Sequence, residues 1–299
     1  MRRTFVALGV VLIAGVLGGC GGDDGDDGAA SETSTSVAEA TTTSTPATDG
    51  KANPISIEAT EYSFQVADEV KGGLVEFVFA NRGKEAHFAG LAQVLEGKTY
   101  EDAKAFLTSA PPEDPPPFVE FAGAATIDPG GNGDATFNLP AGTYALFCAI
   151  PAPDGIPHVG KGMIKPLMVT EGIAGTMPES ATTLTAKDFS LAGSPPSKAG
   201  AAVVGISNQG KQIHEVNLVE LAAGKKIDDV VAWFKAPTGP PPMSFRDGVA
   251  VAAGEEGTST WDLKSGSTYA IICAVPDSLS GDFVPHIVKG MYTAAFTIS

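Results

Sequence analysis

The chain has 299 residues, of which 43% are hydrophobic, and a formal net charge of −16 at pH 7. Nucleic-acid binding needs a basic footprint, so this acidic balance argues against a nucleic-acid partner. The length is sufficient for two hydrophobic cores of ordinary domain size.

The N-terminus has the features of an export signal. Arg2 and Arg3 precede an apolar run over 5–16 that is too short for a membrane-spanning helix. Residues 17–20 (LGGC) resemble the bacterial lipobox, in which the cysteine is lipidated and becomes the first mature residue. We therefore expect a signal peptide over 1–19 and a lipid anchor on Cys20, on the outer face of a bacterial cell membrane. The arginine pair also resembles a twin-arginine signal, which leaves the export route open.

Residues 21–52 consist mainly of Gly, Asp, Ser, Thr and Ala. Such a composition buries too little apolar surface to offset chain entropy. The sequence predicts a disordered tether over 20–52 that joins the anchor to the rest of the chain.

The remainder reads as two halves of similar length, 53–171 and 181–299, joined by a linker over 172–180. Short runs of alternating apolar and polar residues, separated by Gly, Asn or Pro, predict β-strands. In the first half these runs are 55–59, 75–79, 135–139, 144–150 and 167–169, and in the second 202–207, 259–263, 269–275 and 292–298. This rhythm favours an all-β fold with one β-sandwich in each half.

One short amphipathic helix interrupts the strand pattern of each half. Ile227, Val230, Val231 and Phe234 follow the i, i+3, i+4, i+7 spacing of a helix. Residues 99–107 are the weaker counterpart in the first half.

The two halves share one long motif. Residues 81–87 (NRGKEAH) match 208–214 (NQGKQIH) at an offset of 127, and later segments match at a slightly different offset. All four histidines and two of the three cysteines recur at equivalent places. A repeat of this length is a duplicated domain, since solenoid repeats are much shorter. Each half contributes a Cys, two His and a Met, which are His87, Cys148, His158 and Met163, then His214, Cys273, His286 and Met291.

A thiolate, two imidazoles and a weak axial thioether are the ligands of blue copper centres. The order Asn-x-Gly-x-x-x-His, then Gly-Thr-Tyr-x-x-x-Cys or its variant, then Pro-His-x-x-x-Gly-Met resembles the cupredoxins, of plastocyanin and azurin type. The resemblance covers nearly all of both halves. It implies two tandem cupredoxin-like Greek-key β-sandwiches, each binding one copper ion through the four residues named above. It also implies single-electron transfer with a redox partner that the sequence does not identify.

The spacing between Cys and the second His departs from the plastocyanin pattern. Nine residues separate Cys148 from His158, and twelve separate Cys273 from His286. The longer loop adds about 1.3 kcal/mol of closure entropy. Metal binding to proteins contributes on the order of 10 kcal/mol, so entropy alone does not exclude the sites.

Several alternatives remain at this stage. The chain could handle or sequester Cu(I), or it could be a metal-free interaction module that retains the fold. Cys148 and Cys273 could form a disulfide, since an extracytoplasmic location permits one. Catalysis is not expected, because the two sites use every histidine and leave none for a second type of copper centre. Lys161 and Lys289 also occupy equivalent places, and we expect both to be solvated.

Overall fold

The computed structural model of the protein describes residues 51–109, 116–280 and 282–299. The predicted signal peptide, Cys20 and nearly all of the predicted tether lie outside these residues. The first half, called repeat 1, contains β1 (Asn53–Thr60), β2 (Ser63–Gln65), β3 (Glu69–Asn81), β4 (His87–Val94), α1 (Tyr100–Thr108), β5 (Phe118–Ile127), β6 (Asn132–Leu139), β7 (Gly142–Phe147) and β8 (Ile164–Ile173). The second half, called repeat 2, contains β9 (Thr182–Lys187), β10 (Ser190–Ala192), β11 (Gly200–Asn208), β12 (His214–Leu221), α2 (Ile227–Lys235), β13 (Met243–Val251), β14 (Glu256–Leu263), β15 (Thr268–Ile272) and β16 (Phe296–Thr297).

The strands form two packed layers in each repeat. In repeat 1 one layer has the order β2-β1-β3-β6 and the other β8-β7-β4-β5. Strand β3 belongs to both layers, because its start pairs with β8 and its remainder with β1 and β6. Ile57 and Phe77 from the first layer and Leu91 and Leu146 from the second share one buried core. The predicted all-β sandwich fold is confirmed.

Strand β1 illustrates why the sequence pattern works. Ile55, Ile57 and Ala59 are buried, while Ser56 between them is exposed. Side chains alternate between the two faces of a strand, so every second residue enters the core. The predicted strand over 55–59 lies within β1.

The two helices lie where the sequence predicts them. Helix α1 begins after Thr99, whose side chain accepts a hydrogen bond from the backbone of Asp102 in a capping box. Helix α2 covers the predicted spacing and buries Val230. Each helix packs against the short 3-10 turn of its own repeat, His158–Lys161 or His286–Lys289.

The layers continue from one repeat into the other. Strand β6 pairs with β14 in one layer, and β5 pairs with β13 in the other. Gly123 of β5 lies opposite Ala250 of β13 across this junction. The two repeats therefore dock through backbone pairing, which the sequence could not predict. The boundaries 53–171 and 181–299 stay a prediction.

Three strand predictions are too long. Strands β7 and β15 end at Phe147 and Ile272, before the predicted ends at 150 and 275. The final strand, predicted over 292–298, is reduced to β16 and an isolated bridge between Tyr292 and Ile272. There the Thr293 hydroxyl accepts the Ile271 N–H at 3.0 Å and takes the place of a ladder partner.

No helix within the described ranges has the length and apolar character needed to cross a bilayer.

Candidate metal centres

The first group of ligands, called centre 1, consists of His87, Cys148 and His158. His87 is the first residue of β4, Cys148 follows β7 directly, and His158 begins the 3-10 turn. The two imidazole Nδ1 atoms lie 3.0 Å apart, and Cys148 Sγ lies 3.4 Å from Nδ1 of His158 and 4.0 Å from Nδ1 of His87. All three side chains are fully buried. Three donor atoms thus converge on one point inside the fold.

The second group, called centre 2, consists of His214, Cys273 and His286 and repeats this geometry. Its two Nδ1 atoms lie 3.2 Å apart. Cys273 Sγ lies 3.4 Å from Nδ1 of His286 and 4.0 Å from Nδ1 of His214. All three residues are again fully buried. Both cysteines are free, so the disulfide between them is not formed.

The donor atoms fit a metal ion. Metal–nitrogen bonds of about 2.0 Å and metal–sulfur bonds of about 2.3 Å at tetrahedral angles place two nitrogens about 3.3 Å apart and nitrogen and sulfur about 3.5 Å apart. The observed separations of 3.0 to 4.0 Å lie around these values. Each repeat therefore carries a His2Cys group that can hold one ion, up to two copper ions per chain.

The ionisation of these groups suits a cation. Burial, followed by repulsion from His158, lowers the pKa of His87, and burial also lowers that of His214. Burial and the nearby His214 lower the pKa of His286 to about 4. The imidazoles of His87, His214 and His286 are therefore neutral at pH 7, which is the form that binds metal. Burial raises the pKa of Cys148 to about 12, so its thiolate needs a compensating positive charge.

Backbone hydrogen bonds place the two methionines beside the ligands. The Cys148 N–H donates to the Met163 carbonyl at 3.2 Å, and the Met163 N–H donates to the His158 carbonyl at 2.9 Å. Cys273, His286 and Met291 make the same two bonds, at 3.1 and 3.0 Å. Both methionine side chains are fully buried. The role of each thioether as an axial ligand stays a prediction.

The long loops between Cys and the second His are closed at their base. In repeat 1 the His158 N–H donates to the Ile150 carbonyl at 2.9 Å, and Pro151 and Pro157 form a bridge. In repeat 2 the His286 N–H donates to the Val275 carbonyl at 2.9 Å, next to an equivalent bridge between Pro276 and Pro285. The additional residues project beyond these bridges, so loop length does not displace the second imidazole.

Lys161 and Lys289 stabilise these projecting loops. Lys161 forms an ion pair with Asp154, and Lys289 forms ion pairs with Asp277 at 2.5 Å and Asp282 at 2.8 Å. Each lysine side chain is only 21% exposed. Both lysines keep partial exposure to solvent, and acidic residues of the loops also contact them.

An asparagine positions the first imidazole in each repeat. The Asn81 side chain donates to the carbonyls of Glu85 and Ile127 at 2.7 and 2.8 Å and accepts the Gly83 N–H at 2.9 Å. Asn208 makes the equivalent three bonds to Gln212, Val251 and Gly210. The Asn-x-Gly part of the shared motif therefore ties the turn before the histidine to the neighbouring strand.

Glycine in this turn is required by space. A Cβ atom at Gly83 would lie 2.3 Å from Glu61 Oε1 and 2.9 Å from His87 Nε2. At Gly210 it would lie 2.4 Å from His214 Nε2. A larger residue would displace the imidazole.

Carboxylates contact the outer nitrogens of three of the four imidazoles. Glu85 Oε2 lies 2.9 Å from His158 Nε2, Asp188 Oδ1 lies 3.1 Å from His214 Nε2, and Glu61 Oε1 lies 3.4 Å from His87 Nε2. The contacts to His158 and His214 are hydrogen bonds that favour the tautomer with Nδ1 free for a metal, whereas His87 Nε2 makes no hydrogen bond to the described residues. These carboxylates were not predicted from the sequence, although Glu61 and Asp188 are separated by the same offset of 127 as the first histidines.

No protein-family model matches the chain, and no curated protein matches it. Similar solved structures are cupredoxins and copper enzymes with cupredoxin-like domains. Auracyanin from the photosynthetic bacterium Roseiflexus castenholzii is 23% identical, with 40% of this chain and 99% of that chain covered, at a TM-score of 0.28. Rusticyanin from Thiobacillus ferrooxidans is 22% identical, with 41% of this chain and 79% of that chain covered, at a TM-score of 0.27. A multicopper oxidase is 14% identical, with 83% of this chain and 89% of that chain covered, at a TM-score of 0.25. The chemistry of the two centres rests on their own geometry.

Proposed function

We propose that the protein is a copper-binding electron-transfer protein with one type 1-like copper centre in each repeat. The observation that carries the proposal is the convergence of two imidazole Nδ1 atoms and one thiolate sulfur, fully buried, at matching distances in both repeats. This donor set, with a weak fourth ligand, is typical of blue copper centres.

Bound copper would supply a one-electron couple between Cu(I) and Cu(II). The chain's own residues would hold the ligands in place. Asn81 and Asn208 anchor the turns before the first histidines, and the bridges at the loop bases position the second. The Phe88 N–H donates to Cys148 Sγ at 3.5 Å, and the Glu215 N–H donates to Cys273 Sγ at the same distance. Fixed ligands need little rearrangement when the charge of the ion changes, which favours transfer over catalysis.

In this proposal the protein acts as an electron carrier rather than an enzyme. Both centres together use all four histidines of the chain. A redox partner protein of unknown identity would exchange electrons with it. The lipobox-like segment over 17–20 and the polar tether that follows support attachment through Cys20 to the outer face of a bacterial membrane.

The test is copper loading of the purified full chain. Cu(II) is added, the ratio of bound metal to protein is measured, and the visible spectrum and reduction potential are recorded. Two ions per chain with an intense thiolate-to-copper band and a reversible couple are expected. Tight Cu(I) binding without colour would instead support copper handling, and no stoichiometric metal would support a metal-free module.

A further inference from the structure

The two centres share their inner ligands but differ in what contacts the second imidazole from outside. In repeat 1, Glu85 Oε2 accepts a hydrogen bond from His158 Nε2 at 2.9 Å. In repeat 2 the equivalent residue, by the offset of 127, is Gln212. Gln212 turns away from His286 and hydrogen-bonds Asp277 and Ser278 of the projecting loop. His286 Nε2 is buried and has no hydrogen-bond partner among the described residues.

A second difference lies behind the first. The Tyr62 hydroxyl donates to Glu85 Oε1 at 3.1 Å, and its ring lies 4.9 Å from the ring of His158. Its counterpart in repeat 2 is Phe189, whose ring lies 5.3 Å from that of His286. Phenylalanine has no hydroxyl, so the hydrogen-bonded series of tyrosine, carboxylate and imidazole exists only in repeat 1.

The hydrogen bonds from Tyr62 to Glu85 and from His158 to Glu85 affect His158 as a metal ligand. An imidazole whose N–H donates to a carboxylate is held in one tautomer and becomes a stronger electron donor through its other nitrogen. A stronger donor stabilises the divalent ion more than the monovalent one, because the ion of higher charge gains more from it. Resting on the function proposed above, we propose that Glu85, held by Tyr62, is a positioning residue that raises the Cu(II) affinity of centre 1 and lowers its reduction potential, and that the second imidazole of centre 2 lacks this device.

Another acidic residue, Glu215, faces centre 2 from the cysteine side. Its carboxylate accepts the Ala274 N–H at 2.7 Å, next to Cys273 in the chain, and does not contact His286. Comparing the two wild-type centres would therefore combine two effects. The decisive comparison is a substitution within centre 1.

The experiment uses the full chain carrying Cys273→Ser, which leaves centre 1 as the sole His2Cys group. Glu85→Gln is compared with this parent by chelator competition for Cu(II) and Cu(I) and by redox titration. We expect Cu(II) binding to weaken about 10- to 100-fold and Cu(I) binding to weaken less. Each tenfold difference between the two losses raises the potential by about 59 mV for a one-electron couple.

Two further variants complete the test. Tyr62→Phe, which copies repeat 2, should shift Cu(II) affinity and potential in the same direction by a smaller amount. Glu58→Gln removes an equal charge from a carboxylate that contacts Arg82 instead, and should change both values less than twofold.

The proposal is overturned if folded Glu85→Gln binds both ions as the parent does, or if it loses Cu(I) and Cu(II) affinity equally. Should Glu85→Gln fail to fold, Tyr62→Phe decides, and unchanged values in it would overturn the proposal. If the parent binds no copper at all, the proposed function itself fails, which is a distinct result.

Discussion

Asp134 and Asp247 meet across the junction of the two repeats, where the Asp134 N–H donates a hydrogen bond of 3.3 Å to Asp247 Oδ1. The same oxygen accepts hydrogen bonds from the Gly248 N–H at 2.7 Å and from the Ser259 hydroxyl at 2.9 Å. Burial, and then the neighbouring Asp134, holds the pKa of Asp247 well above its ordinary value. Burial also raises the pKa of Asp134 to about 6. Two carboxyl groups with raised pKa values thus lie between backbone-paired strands.

This junction makes stability depend on pH. Between the ordinary value of 3.8 and the raised values, the folded chain binds more protons than the unfolded chain. The contribution of these groups to the free energy of unfolding is therefore greatest below about pH 4. It decreases as the pH rises through about 6 and above. The slope is at most about 1.4 kcal/mol per pH unit for each extra proton bound. Asp247→Asn should flatten this dependence in urea unfolding of the metal-free chain between pH 4.5 and 8. Identical slopes for the variant and the wild type would contradict the assignment.

Each centre should lose its colour independently. Cys148→Ser should remove the thiolate-to-copper band of centre 1 and leave that of centre 2, and Cys273→Ser should do the reverse. A serine hydroxyl is harder and far less acidic than a thiol, so it cannot replace the thiolate. Visible spectroscopy of the copper-loaded variants should show about half of the wild-type absorbance in each. Loss of both bands in either single variant would indicate one shared site instead of two.

The buried asparagines should contribute to stability as well as to metal binding. Asn81→Ala removes three hydrogen bonds, one buried and two partly buried, and leaves two carbonyls without this donor, so the free energy of unfolding should fall by about 2–4 kcal/mol. Centre 1 should lose metal affinity while centre 2 retains it. Asn208→Ala is the matched variant and should affect centre 2 instead. Denaturant unfolding and site-specific copper loading measure both effects, and a loss confined to the wrong centre would refute the assigned role.

The lipid anchor gives a test in cells. Replacement of Cys20 by Ala should release the protein from the membrane fraction without unfolding it, because the residues that follow are predicted to be a tether rather than a core strand. Fractionation and immunoblotting measure the distribution, and circular dichroism of the released protein checks the fold. A Cys20→Ala protein that stays in the membrane as firmly as the wild type would exclude lipidation at this residue.

Sequence pattern was sufficient for the strands whose two faces differ in polarity. Strand β1 and helix α2 lie where the periodicity predicts them. Strand β5 was not predicted, because its central residues are buried on both faces and show no alternation of polarity, and it is held by pairing to β4 and β13.

By itself, the sequence determined the duplication and the chemical identity of the ligands, because one motif recurs with all four histidines and two cysteines in equivalent places. Tertiary structure decided three other things. It decided that loops of nine and twelve residues return the second imidazole to the sulfur, since backbone bonds at their bases are long-range contacts. It decided that Glu85 reaches His158 while Gln212 does not reach His286, since a side chain's partner depends on its surroundings in space. It also decided that the two repeats share continuous sheets, since hydrogen bonding between strand edges uses backbone groups that every sequence has.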